Sequence, residues 1–291
     1  MRIGIIGTGV AGSLLAEALL EARGHAVTAF ERVAPGDHAE AGTGLNIGPN
    51  ALKALRLHMP ARHAALRAAS LPWRRWFVDL ADGTRLFDLD LMEVAEETGV
   101  RIRWSELYAL LRAPVAECTR YGQVLEALEE DAAGRLVPVF RTAAGLVRDG
   151  GFDLLVGADG RYSQLRTLTA GAPESTPLGV CIWRLLVTEI GDCPYDDYGQ
   201  WFNGNARLLS FSVPGGAVYI AGTFPLHGNE QIPEAMKTAA AQRQLFTPPS
   251  GTACSCVAWM LDKIEAHLPE IHWARSATSP VLRSAANGRA L

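Results

Sequence analysis

Residues 2–31 open with Arg2-Ile3-Gly4-Ile5-Ile6, continue as Gly7-Thr8-Gly9-Val10-Ala11-Gly12, and after an Ala/Leu-rich run close on Val27-Thr28-Ala29-Phe30-Glu31. This order predicts an apolar strand, a Gly-x-Gly-x-x-Gly turn, a helix and a second strand. An acidic residue ends that second strand nineteen positions after the last glycine. The stretch therefore predicts a βαβ unit that binds an adenine dinucleotide.

Each glycine of the turn has a distinct physical role. Gly7 permits a tight turn out of the strand, Gly9 lets backbone approach a pyrophosphate, and Gly12 lets the helix pack closely on the sheet. The free amides at the start of the helix, around Val10 to Ser13, are expected to face the phosphates. Glu31 is expected to accept hydrogen bonds from the ribose hydroxyls and to repel a 2′-phosphate, which favours FAD or NAD over NADP.

Composition limits the classes of function. The chain has 291 residues, 48% hydrophobic and 20% charged, a globular mixture long enough for about two domains. A net charge of −4 without a basic stripe argues against a nucleic-acid partner. We expect no membrane contact and a cytoplasmic location, because no signal-peptide pattern occurs and no apolar run reaches the ~20 residues of a span.

The five cysteines form no Cys-x-x-Cys pair and have no nearby histidine set, so no metal site is expected. Cys254 and Cys256 are the only close pair, and we interpret them as structural residues that alternate along a strand. No Gly-x-Ser-x-Gly elbow occurs, which argues against a serine hydrolase.

The middle and later parts of the chain predict an inserted sheet. Strands and turns follow one another from Gly179 to Pro225, whereas residues 104–128 are expected to be helical. This succession predicts an α/β fold in which an antiparallel sheet is inserted beside a doubly wound nucleotide domain.

A second motif narrows the dinucleotide class. The segment from Asp153 to Arg166, with Asp159-Gly160 at its centre, resembles the Asp-Gly motif of class A FAD-dependent aromatic hydroxylases, the para-hydroxybenzoate hydroxylase-like enzymes. The loop and helix of residues 42–55 resemble the flavin-side loop of that family, and Arg103 resembles the arginine that opens its next helix. Gly179 to Arg184, with its Trp-Arg pair, resembles the salicylate hydroxylase and 6-hydroxynicotinate 3-monooxygenase branch.

The resemblance implies a fold, a cofactor and a reaction. A Rossmann-like FAD domain of glutathione-reductase type is expected at residues 1–70, 98–175 and 276–291, and a mainly antiparallel substrate domain at 71–97 and 176–275. The implied reaction is hydroxylation of an aromatic or N-heteroaromatic ring with NADH or NADPH and O₂ through a C4a-hydroperoxyflavin. The residues expected at the cofactor are Gly7, Gly9, Val10, Ala11, Gly12, Glu31, Arg32, Gly44, Leu45, Arg103, Asp159 and Gly160.

The residues that act on the substrate are less constrained by the sequence. Arg184 and Tyr219 are candidates to anchor an anionic ring, and His227 is a candidate proton relay. Each has a plainer interpretation: Arg184 as a surface charge, Tyr219 as a packing residue and His227 as a loop histidine. The sequence leaves the catalytic base and the oligomeric state open, with a homodimer as one option.

The family also has a later Gly-Asp motif that holds the ribityl chain of FAD. This chain stops at Leu291, on the approach to that motif, so we expect a C-terminally truncated relative. Two alternatives therefore stay open: a non-catalytic or impaired FAD-binding fragment, and an NAD-dependent dehydrogenase that uses the N-terminal unit alone.

Overall fold

The computed structural model describes residues 1–37, 43–172, 174–226, 231–279 and 288–291. Its α-helices, α1 to α7, are Val10–Ala22, Pro49–His58, Pro60–Ala68, Trp104–Arg112, Gln164–Ala170, Ala239–Phe246 and Ser255–Ala266. Its strands β1 to β9 are Arg2–Ile6, Ala26–Glu31, Gly44–Ile47, Leu71–Trp73, Arg75–Leu80, Arg85–Asp90, Gly99–Arg103, Thr119–Tyr121 and Val124–Glu130. Strands β10 to β17 are Leu136–Thr142, Gly145–Arg148, Leu154–Gly157, Thr176–Val187, Tyr198–Asn203, Ala206–Val213, Ala217–Pro225 and His272–Thr278.

The chain divides into two units, each formed by segments that are distant in sequence. The first unit contains residues 1–40, 107–174 and 279–291, and the second contains 41–106 and 175–278. The predicted boundaries at 70/71 and 97/98 differ from this division, because β3, α2, α3 and β7 make their contacts within the second unit. Which unit serves the cofactor and which the substrate stays a prediction.

The first unit is built on a parallel sheet of order β12-β1-β2-β8. One face packs on α1 and on the 3₁₀ turn of residues 113–118, through Ala16 and Val115. The other face packs on an antiparallel sheet of order β11-β10-β9, where the Phe30 and Phe140 rings stack at 4.4 Å. The unit therefore has helix on one side of the parallel sheet and a three-stranded meander on the other.

The second unit is built on a seven-stranded sheet of order β17-β13-β16-β15-β14-β5-β6, antiparallel except for the β14–β5 pair. Helices α6 and α7 cover one face, where Trp183, Phe246 and Met260 are fully buried. A smaller sheet of order β3-β7-β4 belongs to the same unit. The predicted combination of a Rossmann-like sheet and a mainly antiparallel sheet is confirmed.

Two local predictions were wrong. Residues 104–128 are not one helix: α4 ends at Arg112, and residues 124–128 lie in β9, whose Leu125 pairs with Phe140. Pairing with β10 outweighs the helix preference of this Leu/Glu/Ala sequence, because context overrides propensity in a partly buried strand. Cys254 and Cys256 lie at the start of α7 rather than in a strand.

Candidate functional site

The Gly-x-Gly-x-x-Gly turn has the geometry that the sequence predicts. Gly7 has φ +95°, and a Cβ built on it would lie 2.6 Å from the carbonyl oxygen of Ala158. A Cβ on Gly12 would collide with the carbonyl of Gly7. A Cβ on Gly9 would meet no atom of the described residues within 4 Å. Gly7 and Gly12 are therefore required by packing, whereas Gly9 borders open space of the kind that a ligand can fill.

The start of α1 presents backbone donors beside that space. Gly9 is the N-cap residue in an extended conformation, and its carbonyl accepts the amide of Ser13 at 3.0 Å. Val10 and Ala11 are exposed in the first turn. Their amides have no acceptor within the helix, so they can donate to an anion at the positive end of the helix dipole.

The Asp-Gly motif lies next to this turn because β12 pairs in parallel with β1. Asp159 Oδ2 accepts the amides of Gln164 and Leu165 at 2.7 and 3.2 Å. Asp159 Oδ1 is buried and has no hydrogen-bond partner among the residues that the structure describes. Gly160 has φ +82° and is exposed. One buried carboxylate oxygen is thus left to accept from a ligand hydroxyl.

Glu31 ends β2 with its side chain already engaged. Its Oε2 accepts the amide of Thr8 at 2.9 Å, the Thr8 hydroxyl at 3.0 Å and Arg112 Nη2 at 3.2 Å. Among the described residues, its Oε1 accepts a single long bond of 3.3 Å from the amide of Val33 and retains acceptor capacity. The ribose-binding role of Glu31 stays a prediction that rests on Oε1, as does any role of the exposed Arg32.

Arg112 is a site residue that sequence reasoning missed. Its Nε donates to the carbonyl of Thr8 at 2.9 Å, and its guanidinium lies 4.9 Å from the Tyr108 ring centroid. The sequence contained only a weak indication that Arg112 is buried: it follows Leu107 and Leu111 on the buried side of α4.

In the second unit, β3 and β7 bring three predicted cofactor residues together. Gly44 pairs with Arg103, and Leu45 pairs with Ile102. Gly44 is buried, and a Cβ there would lie 2.8 Å from Phe211 and Tyr219. Arg103 ends β7 rather than opening α4, and its Nε is buried with no hydrogen-bond partner in the described part of the chain. Packing explains Gly44, whereas the unpaired Nε of Arg103 leaves a donor for a ligand.

The Trp-Arg pair of β13 divides its side chains between the two faces of the sheet. Trp183 is fully buried under α6, whereas Arg184 is exposed on the opposite face. Arg184 pairs with Ala221 across β13 and β16, and Leu186 pairs with Tyr219, which is 7% exposed. Burial raises the pKa of the Tyr219 hydroxyl, and the Arg184 guanidinium opposes part of that rise. The two predicted substrate residues are therefore neighbours on one face of the sheet.

Three further polar residues on the same face of the sheet were not predicted. Gln200 Nε2 donates to Tyr198 Oη at 2.7 Å, and Arg207 Nη1 donates to Gln200 Oε1 at 3.4 Å. Arg207 Nε is buried without a hydrogen-bond partner within the described residues. The alternation of polar and apolar residues in β14 was the available signal. We call Arg184, Tyr219, Tyr198, Gln200 and Arg207 the polar face of the sheet.

A cavity of about 390 Å³ opens beside β13 and β17 in the second unit. Its lining residues are Thr43, Leu186, Pro269, Glu270, Ile271 and His272. Leu186 pairs with Tyr219 and His272 pairs with Arg184, so the cavity adjoins the polar face. His227, the candidate proton relay, and residue 42 of the predicted flavin-side loop lie outside the described residues.

Sequence comparison gives relatives of one kind, although no family model matches the chain. The chain is 29% identical over 180 residues to the FAD-dependent monooxygenase sor5 of Hypocrea jecorina, which covers 61% of this chain and 38% of the relative. It is 28% identical over 242 residues to the 6-methylsalicylate 1-monooxygenase atA of Aspergillus terreus. That alignment covers 74% of this chain and 52% of the relative. The chain thus spans only about two fifths to one half of these relatives.

Structure comparison agrees over the whole chain. The crystal structure of Klebsiella pneumoniae HpxO, complexed with FAD and uric acid, matches with a TM-score of 0.81 and 20% identity, covering 100% of this chain and 71% of that one. The chain is similar in sequence and fold to FAD-dependent monooxygenases. The predicted resemblance is confirmed. Separately, no α-helix among the described residues has the length and apolarity needed to cross a membrane.

Proposed function

We propose that this chain provides the FAD-binding and ring-binding parts of a monooxygenase that hydroxylates a small aromatic or N-heteroaromatic substrate with NAD(P)H and O₂. The observation that carries the proposal is the contact between the Gly-x-Gly-x-x-Gly turn and the Asp-Gly segment at Ala158. The two motifs are separated by about half of the chain in sequence. At this contact they border the same open space. The names of the relatives, which specify FAD and an aromatic substrate, support the same reaction.

The first unit would hold the ADP half of FAD. The amides of Val10 and Ala11 would donate to the pyrophosphate, with Gly9 giving the clearance. Glu31 Oε1 and Asp159 Oδ1 are the carboxylate oxygens with remaining acceptor capacity for hydroxyl groups. When bound, FAD would supply electron transfer from NAD(P)H and activation of O₂.

The second unit would position the ring. Arg184 offers a cation, and Tyr219 offers a neutral hydroxyl because burial raises its pKa. Arg207 adds a second guanidinium on the same face. Two cations favour an anionic substrate, such as a ring carboxylate or a deprotonated heterocycle. Under this proposal His227 relays a proton, and Gly44, Leu45 and Arg103 contact the flavin half of the cofactor.

The remaining assignments are also proposals. The first unit serves FAD, the second serves the substrate and the flavin half of FAD, the protein acts in the cytoplasm, and it assembles as a homodimer without nucleic acid. Fractionation of the native host and light scattering of purified protein test the location and the assembly directly.

The decisive experiment measures flavin binding and turnover separately. Purified protein is titrated with FAD by fluorescence quenching, and NADH or NADPH oxidation is then followed with and without salicylate as the probe acid. We expect saturable FAD binding and oxidation that the acid stimulates. Protein that binds no FAD would disprove the proposal, and binding of NAD alone would favour the dehydrogenase alternative.

Bound FAD without turnover under any aromatic acid would instead favour the second candidate, a non-catalytic FAD-binding chain. The short coverage of the relatives is the observation that keeps this candidate in consideration. Addition of a separately produced C-terminal segment from a relative tests it further, because recovered turnover would show that the chain lacks only that part.

A further inference from the structure

Asn46 in β3 carries a buried side-chain amide with no partner in the described part of the protein. Its Nδ2 and its Oδ1 are both buried, and neither forms a hydrogen bond with a residue that the structure describes. Most buried polar side chains in folded proteins are hydrogen-bonded, and an unpaired one is costly. The amide has two N–H donors and a carbonyl acceptor, so it suits a ligand that supplies both an acceptor and a donor.

The geometry of β3 determines the face on which the Asn46 side chain lies. Residues two apart in a strand point to the same face, so Asn46 shares the face of Gly44. A Cβ on Gly44 would lie 2.8 Å from Phe211 and 2.8 Å from Tyr219. The Asn46 side chain therefore lies on the face of β3 that is turned towards β15 and β16 of the seven-stranded sheet.

Arg101, the cation opposite Asn46 in β7, is engaged elsewhere. Arg101 is 2% exposed and pairs directly with Asn46. Its Nε donates to the carbonyl of Pro72 at 2.9 Å, and its Nη1 donates to the carbonyl of Asp196, just before β14. Arg101 thus anchors this part of β7 at the start of β14, and its hydrogen bonds do not use the amide of Asn46.

Four aromatic rings follow one another on the same side of the seven-stranded sheet. The Tyr198 ring centroid lies 5.2 Å from that of Trp73 and 5.9 Å from that of Phe211. The Phe211 ring centroid lies 4.9 Å from that of Tyr219. We call these four residues the aromatic row. Aromatic side chains at such spacings pack favourably against further flat rings, so the row suits a ring-shaped ligand.

The two ends of the aromatic row differ in their polar groups. Arg184 is on β13, and β14 is three strands away in the sheet order. At about 4.8 Å per strand, the two strands are about 14 Å apart. Asn46 is opposite Arg101, which reaches the start of β14. A ligand that lies along the row therefore meets a cation towards β13 and an amide towards β14.

We propose that Asn46 selects ring acids that carry an amide edge, a carbonyl next to an N–H, at the end opposite their carboxylate. Asn46 Nδ2 donates to the carbonyl of that edge and Oδ1 accepts from its N–H, while Arg184 binds the carboxylate. The ring itself lies on the aromatic row. This assignment rests on the proposed function, because it names the substrate class of the same ring-binding part.

Two ring acids of the same shape test the role of Asn46. Para-carbamoylbenzoate has the amide edge, whereas para-acetylbenzoate has a methyl group in place of the amide nitrogen. Isothermal titration calorimetry of the full chain, with and without saturating FAD, gives the Kd of each acid. We expect the parent chain to bind the carbamoyl acid at least about tenfold more tightly, because the ketone leaves Oδ1 of Asn46 unpaired.

Asn46→Leu is the test variant and Arg184→Gln is its control. Asn46→Leu should weaken binding of the carbamoyl acid about tenfold and change binding of the acetyl acid by no more than about twofold. Arg184→Gln should weaken binding of both acids to the same extent. The denaturation midpoint of Asn46→Leu should not fall, because leucine removes an unpaired buried amide. Asn46→Ala replaces the leucine variant if that variant does not fold.

Several results would overturn the proposal. Equal affinities of the parent for the two acids would do so, as would a preference that Asn46→Leu retains or the failure of both acids to bind. A variant that loses FAD affinity alone would show that the amide binds the flavin instead. A chain that binds FAD without preferring the carbamoyl acid contradicts only the role of Asn46. A chain that binds no FAD contradicts the proposed monooxygenase, whichever acid it prefers.

Discussion

Arg112 and Glu31 form a buried ion pair in the first unit, with Nη2 and Oε2 3.2 Å apart and both side chains below 10% exposed. Arg112→Met removes the cation but leaves the carboxylate buried. Breaking one side of a buried pair costs about 3–5 kcal/mol, so we expect a loss of that order in the free energy of unfolding. Urea denaturation followed by circular dichroism measures it.

The matched control is the double variant Glu31→Gln with Arg112→Met, which removes both charges. We expect it to lose less stability than the sum of the two single variants, because neither charge is then left alone. Additive losses would contradict the pairing and would assign the effect of Arg112 to its contacts with Thr8 and Tyr108 instead.

Gly9 separates ligand binding from stability. A Cβ at this position meets no atom within 4 Å in the part of the chain that the structure describes, and the backbone is in an extended conformation that alanine accepts. Because Gly9 is also the N-cap of α1, we expect Gly9→Ala to lower the free energy of unfolding by no more than about 1 kcal/mol. If the pyrophosphate lies there, the methyl group should weaken FAD binding at least about tenfold, or about 1.4 kcal/mol. Fluorescence titration with FAD gives the affinity.

Gly7→Ala is the contrasting variant. Its φ of +95° and the 2.6 Å approach of an added Cβ to Ala158 make alanine strained in the folded chain itself. Overpacking and a left-handed backbone cost about 1–3 kcal/mol each, so stability should fall even without FAD. Equal stability of the two alanine variants would show that the turn does not pack as described.

Local patterns made much of the fold predictable. The βαβ unit of residues 2–31 and the strands between Gly179 and Pro225 follow from turn residues and from alternation over a few positions. Residues 124–128 failed because their strand partner, β10, is chosen by tertiary packing and not by their own composition.

The sequence predicted those parts of the site that a single short motif contains. It did not predict the parts that join residues distant in sequence. The glycine turn is contained in residues 7–12, whereas Arg112 reaches Glu31 across 81 positions of sequence. Arg207 and Gln200 become neighbours only when β14 and β15 pair. No sequence spacing encodes such contacts, since they depend on strand order within the sheet.

Tyr219 should titrate above the ordinary tyrosine range. Burial raises its pKa and Arg184 lowers it, so replacing Arg184 with glutamine should raise the midpoint further. The difference in phenolate ultraviolet absorbance between the parent protein and Tyr219→Phe, followed as pH rises, reports the titration of Tyr219 alone. The midpoint of that titration should lie above the ordinary tyrosine pKa of about 10. A midpoint at or below that value would show that the hydroxyl is not buried.

The raised pKa of Tyr219 also determines whether its contribution to the free energy of unfolding rises or falls with pH. A folded pKa above the unfolded value means that the folded chain holds the proton more tightly. The contribution of Tyr219 is fully present below about pH 10 and is lost as pH rises through the folded pKa. Urea denaturation across this alkaline range should show a steeper loss for the parent than for Tyr219→Phe.

Trp183 and Arg184 are neighbours in β13. We expect substitution of Trp183 to lower stability and substitution of Arg184 to weaken substrate binding. Trp183 packs at 6.2 Å from the Phe246 and Trp273 ring centroids and is fully buried, so Trp183→Ala should cost about 3–5 kcal/mol of stability.

Arg184→Gln, on the exposed face, should change stability by no more than about 0.5 kcal/mol. If Arg184 binds an anionic ring, the KM for an aromatic acid should rise about tenfold or more with kcat little changed. An unchanged KM with intact FAD binding would remove Arg184 from the substrate site and leave Arg207 as the cation of the polar face.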